Sequence, residues 1–453
     1  MAGQTAAWSS SGSDPFPSEP GSGAILQEWH EQPDLLALHA AHPERYPALL
    51  HTGGQEGWHI LFAYPDAIHR FDQHNVLQAA SMLPQISMSA GNASGFPFRG
   101  GWLVCLGYEL CGVLEPRVGL PDEAEDYPLV WLARIPAAIL QRGSRTWLMA
   151  EMGRRGLIEN LASELARPVM GQDTLLPAPL EILEEPEARF LHGVSRIKDY
   201  ICAGDVFQVN LSRAWQATYD RGVSAAVLFR QLMQRNPAPF SALLDMGEWK
   251  IVSSSPERLV RVEAGGRIST RPIAGTHPRS FLPEQDRMLR DALAAHPKER
   301  AEHVMLVDLE RNDLGRVCQS GTVEVEALME LSSYAHVHHI ESTVAGRLSS
   351  GMKVWDVIRA LFPGGTITGC PKVRTMEIIR ELEDQPRRAY TGSLGYINRD
   401  GSLDLNILIR TFVLRGNRIS FRAGAGIVVD SVPSRELEET RAKAIGLINT
   451  LKH

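Results

Sequence analysis

Residues 272–276 read Pro-Ile-Ala-Gly-Thr and are the most informative five residues of the chain. They follow Arg267–Arg271, which alternates as a strand does, and they precede a helical stretch. Proline fixes φ, and glycine accepts backbone angles that other residues avoid, so the segment predicts a rigid bend. An ordinary turn is the simplest interpretation of these residues alone.

Length and charge limit the classes of protein to consider. The 453 residues exceed the usual size of one compact domain, so we expect two cores or one large composite core. The net charge is −7 and Lys and Arg are scattered, so nucleic acid is not an expected partner. No apolar stretch approaches the ~20 residues of a membrane span, and the N-terminus lacks an apolar signal segment, which predicts a cytoplasmic protein that does not bind membranes.

The cysteines predict reduced, mostly buried thiols. There are five of them, an odd number, and no two have Cys-x-x-Cys spacing, which argues against a zinc site or a disulfide framework. They are Cys105, Cys111, Cys202, Cys318 and Cys370.

Composition divides the chain into four segments. Residues 1–23 are rich in Ser, Gly and Pro and predict a flexible tail. Residues 24–167 alternate short apolar runs with Gly and Pro, which predicts an α/β subdomain with many strands. The Pro-rich, acidic segment 168–186 predicts a linker, and residues 187–453 form the remaining, larger domain.

Periodicity predicts the main elements of the larger domain. Apolar residues at helical spacing from Phe190 to Ile201 predict a helix that Gly204-Asp205 ends, and a strand follows at 207–211. Three alternating segments, Tyr390–Ile397, Leu403–Leu414 and Arg418–Ala423, predict an antiparallel meander. A helix from about Pro433 to Leu451 is expected to close the chain.

Two predicted helices each present a pair of glutamates three residues apart. The pairs are Glu299 with Glu302, and Glu436 with Glu439. This spacing stacks each pair on one helix face, where carboxylate oxygens could hold Mg²⁺ together with a substrate carboxylate. Such pairs are also common on solvated helix faces, which is the simpler interpretation of the spacing alone.

Two glycine-rich segments could bind an anion. In Phe362–Lys372 a glycine-rich turn leads into a helix that we expect to start at Pro371, and Lys372 adds a positive charge. Cys370 stands where a nucleotide-binding loop needs lysine, so nucleoside triphosphate binding is excluded. Gly424-Ala425-Gly426 is expected to lead to another strand rather than to a helix, so it indicates room for a ligand carboxylate, or a plain bulge, and not a dinucleotide site.

An arginine and a histidine complete the candidate residues. Arg410 lies in an apolar segment that we predict to be a strand, where its guanidinium needs a carboxylate from a ligand or from the chain itself. His338 and His339 lie on opposite faces of a predicted strand, so only one can point into a cleft. A core histidine with satisfied hydrogen bonds is the alternative for either.

From about residue 187 to the end, the chain resembles the chorismate-utilising enzymes. The resemblance implies an α+β fold of large composite antiparallel sheets, β-sandwich-like, with helices packed outside. It rests on an ordered series of motifs: Gly204-Asp205-Val206-Phe207-Gln208-Val209-Asn210, Ser255-Pro256-Glu257-Arg258, the 272–276 bend, Glu299-Arg300-Ala301-Glu302-His303, Val307-Asp308-Leu309, Arg311-Asn312-Asp313, Gly364-Gly365-Thr366, Arg410-Thr411 and Gly424-Ala425-Gly426. Residues 24–167 match the N-terminal part of anthranilate synthase component I more loosely, through Phe98–Trp102 and Gly107-Tyr108-Glu109.

The resemblance implies roles for individual residues. Glu302 and Glu439 would ligate Mg²⁺, and Glu299 and Glu436 would hold its waters. Chorismate would lie against the bend that contains Ala274 and Thr276. The remaining implied contacts are Arg410 and Tyr390 on the enolpyruvyl carboxylate, Thr366 and the backbone of Gly424, Ala425 and Gly426 on substrate carboxylates, Lys372 and Lys443 as balancing charges, and His339 beside the C4 hydroxyl that leaves. A departing hydroxide needs a proton, and a dianion needs cations.

Ala274 restricts the reaction. Many aminodeoxychorismate synthases have a nucleophilic lysine at this position, whereas anthranilate synthases and a subgroup of aminodeoxychorismate synthases have alanine. Without the lysine, ammonia itself must add at C2. Pyruvate elimination would then give anthranilate, whereas a second ammonia at C4 would give 4-amino-4-deoxychorismate.

Other segments favour aminodeoxychorismate synthase component I. Residues 362–369 and 391–411 resemble that branch, since anthranilate synthases usually have Pro-Ala-Gly-Thr and Ala-Ile-Arg-Thr there. The Leu-Leu-Glu-Ser element of tryptophan feedback is replaced by Leu-Leu-His-Thr at 49–52. No Gly-x-Cys-x-Gly elbow occurs, so a separate glutamine amidotransferase subunit is expected as the ammonia source, in a heterodimer. The alternatives are anthranilate synthase component I, an isochorismate or salicylate synthase, and a non-catalytic chorismate-binding regulator.

Overall fold

The computed structural model describes residues 23–52, 57–89, 95–119, 127–167, 175–280, 282–333 and 337–452, with only the backbone described at 276–278, 298 and 337. Residues 1–22 of the predicted tail at 1–23, and the first part of the predicted linker, 168–174, lie outside these residues. The strands are β1 Ala24–Trp29, β2 Ala48–Thr52, β3 Trp58–Ala63, β4 Ala67–Phe71, β5 Gly101–Leu106, β6 Val130–Ile135, β7 Ala137–Arg142, β8 Arg145–Glu151, β9 Glu181–Glu184, β10 Gln208–Thr218, β11 Phe240–Asp245, β12 Trp249–Ser255, β13 Arg258–Val262, β14 Arg267–Arg271, β15 Ile273–Pro278, β16 Glu324–Ser333, β17 Val337–Arg347, β18 Gly369–Cys370, β19 Ser393–Asn398, β20 Leu403–Asn406, β21 Thr411–Arg415 and β22 Arg418–Ile427.

The helices lie between and after these strands. They are α1 Leu35–Ala41, α2 Leu77–Met82, α3 Cys111–Leu114, α4 Arg155–Leu165, α5 Glu187–Cys202, α6 Ala225–Arg235, α7 Pro283–Ala295, α8 Pro297–Gly315, α9 Val354–Leu361, α10 Lys372–Leu382 and α11 Pro433–Leu451. The predicted helix at 190–201 corresponds to α5, and the predicted closing helix has the bounds of α11. No helix in the described part of the chain has the length and apolar character that a membrane crossing requires.

Two antiparallel sheets make up the core. One contains 12 strands in the order β1-β8-β7-β3-β2-β11-β12-β21-β22-β10-β18, with β9 beside β10. The other contains 10 strands in the order β15-β17-β14-β13-β20-β19-β5-β6-β4, with β16 beside β17. Apolar residues of both sheets, among them Phe62, Leu103 and Leu244, pack together in one cluster between them. The sandwich-like α+β fold with large composite sheets is therefore confirmed.

Helices cover the outer faces of the sandwich. Residues of α1, α4, α6 and α11 pack on the first sheet. Residues of α8 and α9 pack on the second sheet. A further cluster joins α5 and α10 to β10 and β22, where Val209 and Ile427 are fully buried. Strand β22 carries the glycine segment at 424–426 and β10 pairs with it, so α5 and α10 support that segment from behind.

Both sheets combine strands from the two sides of the predicted linker. In the first sheet β2 pairs with β11, and in the second β5 pairs with β19. The linker itself contains a strand, because Glu181–Glu184 forms β9 and pairs with β10. Ile182 of β9 packs against the hydrophobic core. The predicted linker at 168–186 therefore separates two parts of the sequence, but both parts contribute strands to the same two sheets.

Three local predictions differ from the structure. The predicted meander is two hairpins in different sheets, because the chain leaves the second sheet after β20 and enters the first at β21. The predicted strand 403–414 is therefore interrupted, and Arg410 lies in the connection with φ 51°. The bend at 272–276 does not precede a helix directly, since Ile273–Pro278 forms β15, in which Gly275 has φ 64° and the register shifts. After Gly424–Gly426 the strand ends and helix α11 follows, where another strand was expected.

The thiol prediction is confirmed. All five cysteines are free. Cys105, Cys111 and Cys318 are buried, whereas Cys202 is exposed. Helix α10 begins at Lys372, one residue later than predicted, with Pro371 as its N-cap.

Candidate active site

The first wall of the site is formed by neighbouring residues of β10 and β22. Asn210 pairs with Gly426, and Gln208 precedes it by two residues, so both side chains lie on the same face. A Cβ atom at Gly426 would collide with Gln208 Nε2, and one at Gly424 would lie 2.6 Å from Asn210 Oδ1. Glycine is therefore required at both positions, because the two amides occupy the space that side chains would need.

Gln208 and Asn210 were missed as site residues by the sequence analysis. The oxygens Gln208 Oε1 and Asn210 Oδ1 are both buried, and neither has a hydrogen-bond partner among the described residues. Buried acceptors of this kind are costly unless a ligand donates to them. Their alternation with Phe207 and Val209 was visible in the sequence, but nothing there indicated that the amides would lack donors.

Tyr390 and Lys443 border the same wall. The Tyr390 hydroxyl lies 2.9 Å from the position that a Gly424 Cβ would take, and burial raises the pKa of this tyrosine to about 12. Lys443 Nζ donates to the Gly424 carbonyl at 3.1 Å and lies 2.7 Å from Glu439 Oε1. Tyr390 and Lys443, which were each predicted to contribute to the site, thus both lie beside Gly424.

Arg410 supplies a positive charge that the described residues do not neutralise by contact. Burial lowers the pKa of this arginine, and the nearby Glu257 opposes that effect. The guanidinium forms no hydrogen bond or ion pair at contact distance with any residue that the structure describes. A guanidinium in this position is a good partner for a carboxylate ligand.

His339 faces the bend on the neighbouring strand. It pairs with Thr276, whose side chain lies outside the described part of the structure, and its Nδ1 is 3.2 Å from the Gly275 carbonyl oxygen. Burial, together with the nearby Arg410 charge, lowers the pKa of His339 to about 4, so the ring is neutral near pH 7. Because a carbonyl only accepts, Nδ1 carries the hydrogen and Nε2 carries the lone pair.

His338 lies on the opposite face of β17, as the sequence predicted. It is 2.8 Å from Ser333 Oγ and 3.0 Å from Asp286 Oδ1, so its hydrogen bonds are satisfied within the chain. His339 is thus the histidine of this pair that belongs to the site.

Glu257 is an ionisable residue of the site that the sequence analysis quoted within a motif but gave no role. Burial raises its pKa to about 8, the Thr366 hydroxyl opposes the rise, and the nearby Glu310 adds to it. Its carboxyl group therefore keeps its proton at neutral pH. The same carboxyl is close enough to Arg410 to raise the pKa of that arginine.

The loop 364–368 connects the two sides of the site. Its Thr366 lies near Glu257 and lowers the pKa of that carboxyl group. On the other side, the main-chain N–H of Asn210 donates to the Thr368 carbonyl at 2.8 Å. Lys372, just beyond the loop, donates to the Asp313 carboxylate and to the Leu361 carbonyl, so its charge is already paired.

The four glutamates predicted to bind Mg²⁺ lie on two helices. Glu299 and Glu302 are in the first half of α8, and the Glu299 carboxylate lies 3.0 Å from where a Gly275 Cβ would be. Glu436 on α11 is buried, whereas Glu439 is half exposed and paired with Lys443. Within the described residues, no three His, Cys, Asp or Glu side chains are arranged to hold a metal ion. The donor type fits Mg²⁺, since all four are carboxylates, but Glu439 would have to exchange Lys443 for the ion.

Ala274 lies in β15, paired with Ile340 and one residue before the bulge. The side chain of Ala274 is a methyl group, so this position offers no nucleophile. The adjacent Gly275 cannot carry a side chain easily, because a Cβ there would lie 2.8 Å from Leu293 Cδ1 and the backbone has φ 64°. Helices α7 and α8 thus pack closely against this strand.

Comparison with known proteins identifies relatives across most of the chain. The family model described as chorismate binding enzyme matches residues 46–449. Anthranilate synthase component 1 of Synechocystis is 40% identical over 394 residues, which covers 79% of this chain and 77% of that protein. Aminodeoxychorismate synthase component 1 of Bacillus subtilis is 47% identical over 266 residues, covering 59% of this chain and 56% of that protein.

Solved structures give the same result for the fold. Anthranilate synthase component I from Streptococcus pneumoniae superposes with a TM-score of 0.75 at 30% identity, over 85% of this chain and 91% of that one. A menaquinone-specific isochorismate synthase from Escherichia coli gives the same TM-score at 18% identity, over 95% of this chain and 94% of that one, which supports the fold alone.

Proposed function

Since the chain belongs to the chorismate binding enzyme family, we propose that it is component I of an aminodeoxychorismate synthase, which aminates chorismate to 4-amino-4-deoxychorismate for para-aminobenzoate and folate synthesis. The observation that carries the proposal is the Arg410 guanidinium, which no described residue pairs, beside the neutral His339 and the protonated Glu257. A dianionic substrate supplies the carboxylate that this cation lacks.

The substrate carboxylates are held from two sides in this proposal. Arg410 and Tyr390 bind the enolpyruvyl carboxylate, and Thr366 with the backbone at 424–426 binds the ring carboxylate. The supporting observation is that glycine at 424 and 426 lets the polar groups of Gln208, Asn210 and Tyr390 approach this strand closely. Lys443, which contacts both Gly424 and Glu439, balances the charge there.

Ammonia is the nucleophile in the proposed reaction. It adds at C2, the double bond shifts, and the C4 oxygen leaves as water after accepting a proton. Gln208 Oε1 and Asn210 Oδ1 are suited to hold ammonia, because they are acceptors without donors among the described residues and ammonia donates through N–H. A second ammonia then adds at C4 and expels the C2 amine.

The leaving hydroxyl takes its proton from Glu257 in this scheme. A group with a pKa of about 8 is protonated at neutral pH, whereas a histidine with a pKa of about 4 is not. His339 then acts as a neutral hydrogen-bonding group that faces the C4 position through Nε2. The proposal thus moves the proton from His339, where the sequence suggested it, to Glu257.

Mg²⁺ is proposed as the cofactor, with Glu302 and Glu439 as ligands and Glu299 and Glu436 holding its waters. When bound, the ion would neutralise a substrate carboxylate. Glu302→Ala or Glu439→Ala should lower turnover by roughly two orders of magnitude or more and weaken Mg²⁺ binding in calorimetry with chorismate present. Glu438→Ala is the matched control, because Glu438 lies on the same helix and pairs with Arg441 on the exposed surface. Full Mg²⁺ binding by either ligand variant contradicts the site.

Anthranilate synthase component I is the second candidate, because relatives with both names match the chain. The loop geometry favours the aminodeoxychorismate branch. A Cβ at Gly364, where anthranilate synthases usually have alanine, would lie 2.7 Å from Ile407 Cδ1. The two segments that resemble aminodeoxychorismate synthase, 362–369 and 391–411, are therefore in contact with each other.

The deciding experiment identifies the product that the chain makes from chorismate, Mg²⁺ and ammonium. Chromatography with mass detection should show 4-amino-4-deoxychorismate, and anthranilate as the product would transfer the assignment to the second candidate. Ammonium should support turnover by the chain alone, whereas glutamine should need a separate glutamine amidotransferase subunit. Product from glutamine with the purified chain alone contradicts the proposed partner.

A further inference from the structure

A buried ion-pair network lies behind Tyr390. Arg387 and Glu383 have side chains that are 1% and 4% exposed. The guanidinium donates to both carboxylate oxygens of Glu383, from Nε at 2.9 Å and from Nη2 at 2.6 Å. Arg422 of β22 donates to the same carboxylate at 2.9 Å. Two guanidinium cations thus share one carboxylate, which leaves one positive charge unbalanced within the three groups.

The remaining donors of Arg387 reach three different segments of the candidate site. Its Nη2 donates to the Asn210 carbonyl at 2.8 Å, and its Nη1 donates to the Ile367 carbonyl at 3.1 Å and to Thr391 Oγ1 at 3.3 Å. Asn210 belongs to the first wall, Ile367 follows Thr366 in the loop, and Thr391 follows Tyr390. One side chain therefore fixes the relative positions of the three segments that face the substrate.

The face of the guanidinium is also occupied. Its carbon lies 4.7 Å from the centre of the Tyr108 ring and 5.6 Å from the centre of the Tyr390 ring. Such contacts are attractive and orient both partners. The charges that act on the Tyr390 hydroxyl are those of Arg387, Glu383 and Arg422. The network thus contributes both a position and a positive potential at Tyr390.

We propose that Arg387 is a positioning residue for chorismate, which fixes Tyr390, Asn210 and the 364–368 loop and supplies positive potential to the substrate carboxylate at Tyr390. This inference rests on the proposed function, in which Tyr390 binds that carboxylate. Lysine would keep the charge of Arg387 but would lose the planar face and at least two of the five donors. Arg387→Lys therefore keeps the positive charge and removes contacts that position the neighbouring segments.

The test is a double-mutant cycle on chorismate binding. Calorimetric titration with Mg²⁺ and without ammonium measures binding while no nucleophile is present. Arg387→Lys should weaken the Kd for chorismate about tenfold, whereas in the Tyr390→Phe background the same change should weaken it only about threefold, because the contacts of Arg387 to Asn210 and Ile367 do not depend on the tyrosine hydroxyl. An equal factor in both backgrounds overturns the proposal.

Arg134→Lys is the matched control. Arg134 forms a similar buried pair, 2.6 Å from Glu151, donates to two main-chain carbonyls and lies over the Trp102 ring at 6.0 Å. It should leave the Kd unchanged, and a loss equal to that of Arg387→Lys would mean that only general packing is measured and would overturn the proposal. Product formation with ammonium, run in parallel, tests the proposed function separately.

A second variant covers the case in which Arg387→Lys shows no cooperative thermal unfolding. Tyr108→Leu keeps the ion pair and removes one of the two rings that hold the guanidinium. It should weaken chorismate binding about threefold, and less than about twofold in the Tyr390→Phe background. An unchanged Kd for a folded Tyr108→Leu protein overturns the proposal.

Discussion

At the scale of single residues, burial favours the neutral forms of two side chains of the candidate site, Glu257 and His339. Glu257 is protonated and His339 is neutral, and burial is the main cause in both cases. The two shifts leave Arg410 as a cation without a neutralising contact in the described structure. A site that binds a dianion benefits from this arrangement, because no fixed carboxylate competes for the guanidinium.

The pH dependence of stability tests the protonation of Glu257. Its pKa rises from 4.5 to about 8 on folding, so between these pH values the folded protein keeps a proton that the unfolded chain has lost. The contribution of Glu257 to the free energy of unfolding is therefore fully present below pH 4.5. It falls by up to about 1.4 kcal/mol per pH unit as the pH rises toward 8. Glu257→Gln should therefore become more stable relative to the wild type as the pH rises. Urea unfolding across this range measures the difference.

The same variant should lose activity by a factor of roughly 10² to 10⁴, because an amide cannot protonate the leaving oxygen. Glu438→Gln on the exposed face of α11 should change neither the pH profile nor the rate. Equal pH dependence of stability in the Glu257→Gln protein and the wild type would show that Glu257 is ionised in the folded state.

A second prediction at this scale concerns Ala274. Without a nucleophilic side chain at this position no covalent chorismate adduct can form, so 2-amino-2-deoxyisochorismate should be released or trappable. Ala274→Lys should slow the ammonia reaction, because an ammonium crowds the nucleophile, and it should restore a covalent route if the amine loses its proton. Ala274→Met controls for size. Intact-protein mass spectrometry decides, and an adduct on the wild-type enzyme would contradict the non-covalent route.

Local sequence could predict the elements but not the charge states. The bounds of α5 and α11 follow from periodic apolar residues, which is a property of each helix alone. The burial of Glu257 depends on the loop 364–368 and on α8, which begins at Pro297, so both are distant from Glu257 in the sequence. Side-chain amides without donors, such as Gln208, likewise result from tertiary contacts. The resemblance to a family suggested where a site would lie, and the structure adds the burial of its ionisable residues.

At the scale of elements, the site is built where the chain leaves one sheet and enters the other. The segment Ile407–Ile409 is apolar throughout, so its pattern does not distinguish a continuing strand from a crossing between two buried sheets. Arg410 therefore lies in an irregular connection beside β21 rather than within a strand. This connection places Arg410 near His339 of β17 in the second sheet and near Glu257, which lies in the connection from β12 of the first sheet to β13 of the second.

The close packing of the loop 364–368 against α8 can be tested by mutation. A Cβ at Gly365 would collide with Leu309 Cδ2 on α8 and lie 2.9 Å from Leu309 Cγ. Gly365→Ala should displace Thr366, cost about 1–3 kcal/mol in unfolding free energy and weaken chorismate binding. Leu309→Ala added to it should recover part of the binding, because it removes the clash.

Gly156→Ala is the matched control for this loop. It lies in α4 with open space around a Cβ, so the change should be neutral or stabilising by up to about 1 kcal/mol. Chorismate titration and urea unfolding measure both effects. Wild-type binding by the Gly365→Ala protein would show that the loop does not depend on its close contact with α8.

At the scale of the whole molecule, both sheets are composite. The first sheet is joined across β2 and β11 by pairs such as Leu49 with Leu243, and the second across β5 and β19 by six consecutive pairs. The fragment 24–167 alone would expose these two strands as long unpaired edges. Sequence division at 168–186 could not reveal this, because strand pairing between distant segments leaves no local pattern.

The composite sheets predict that the two parts of the chain fold only together. Fragments 24–167 and 187–453, expressed separately, should aggregate or lack cooperative unfolding, because each exposes a broken sheet edge and part of the core between the sheets. Co-expressed, they should purify as one complex with a single unfolding transition. Size-exclusion chromatography and circular dichroism during heating measure both outcomes, with the intact chain as the reference. If the fragment 24–167 unfolds cooperatively by itself, it is an independent domain, and the shared sheets then represent docking between two domains rather than one fold.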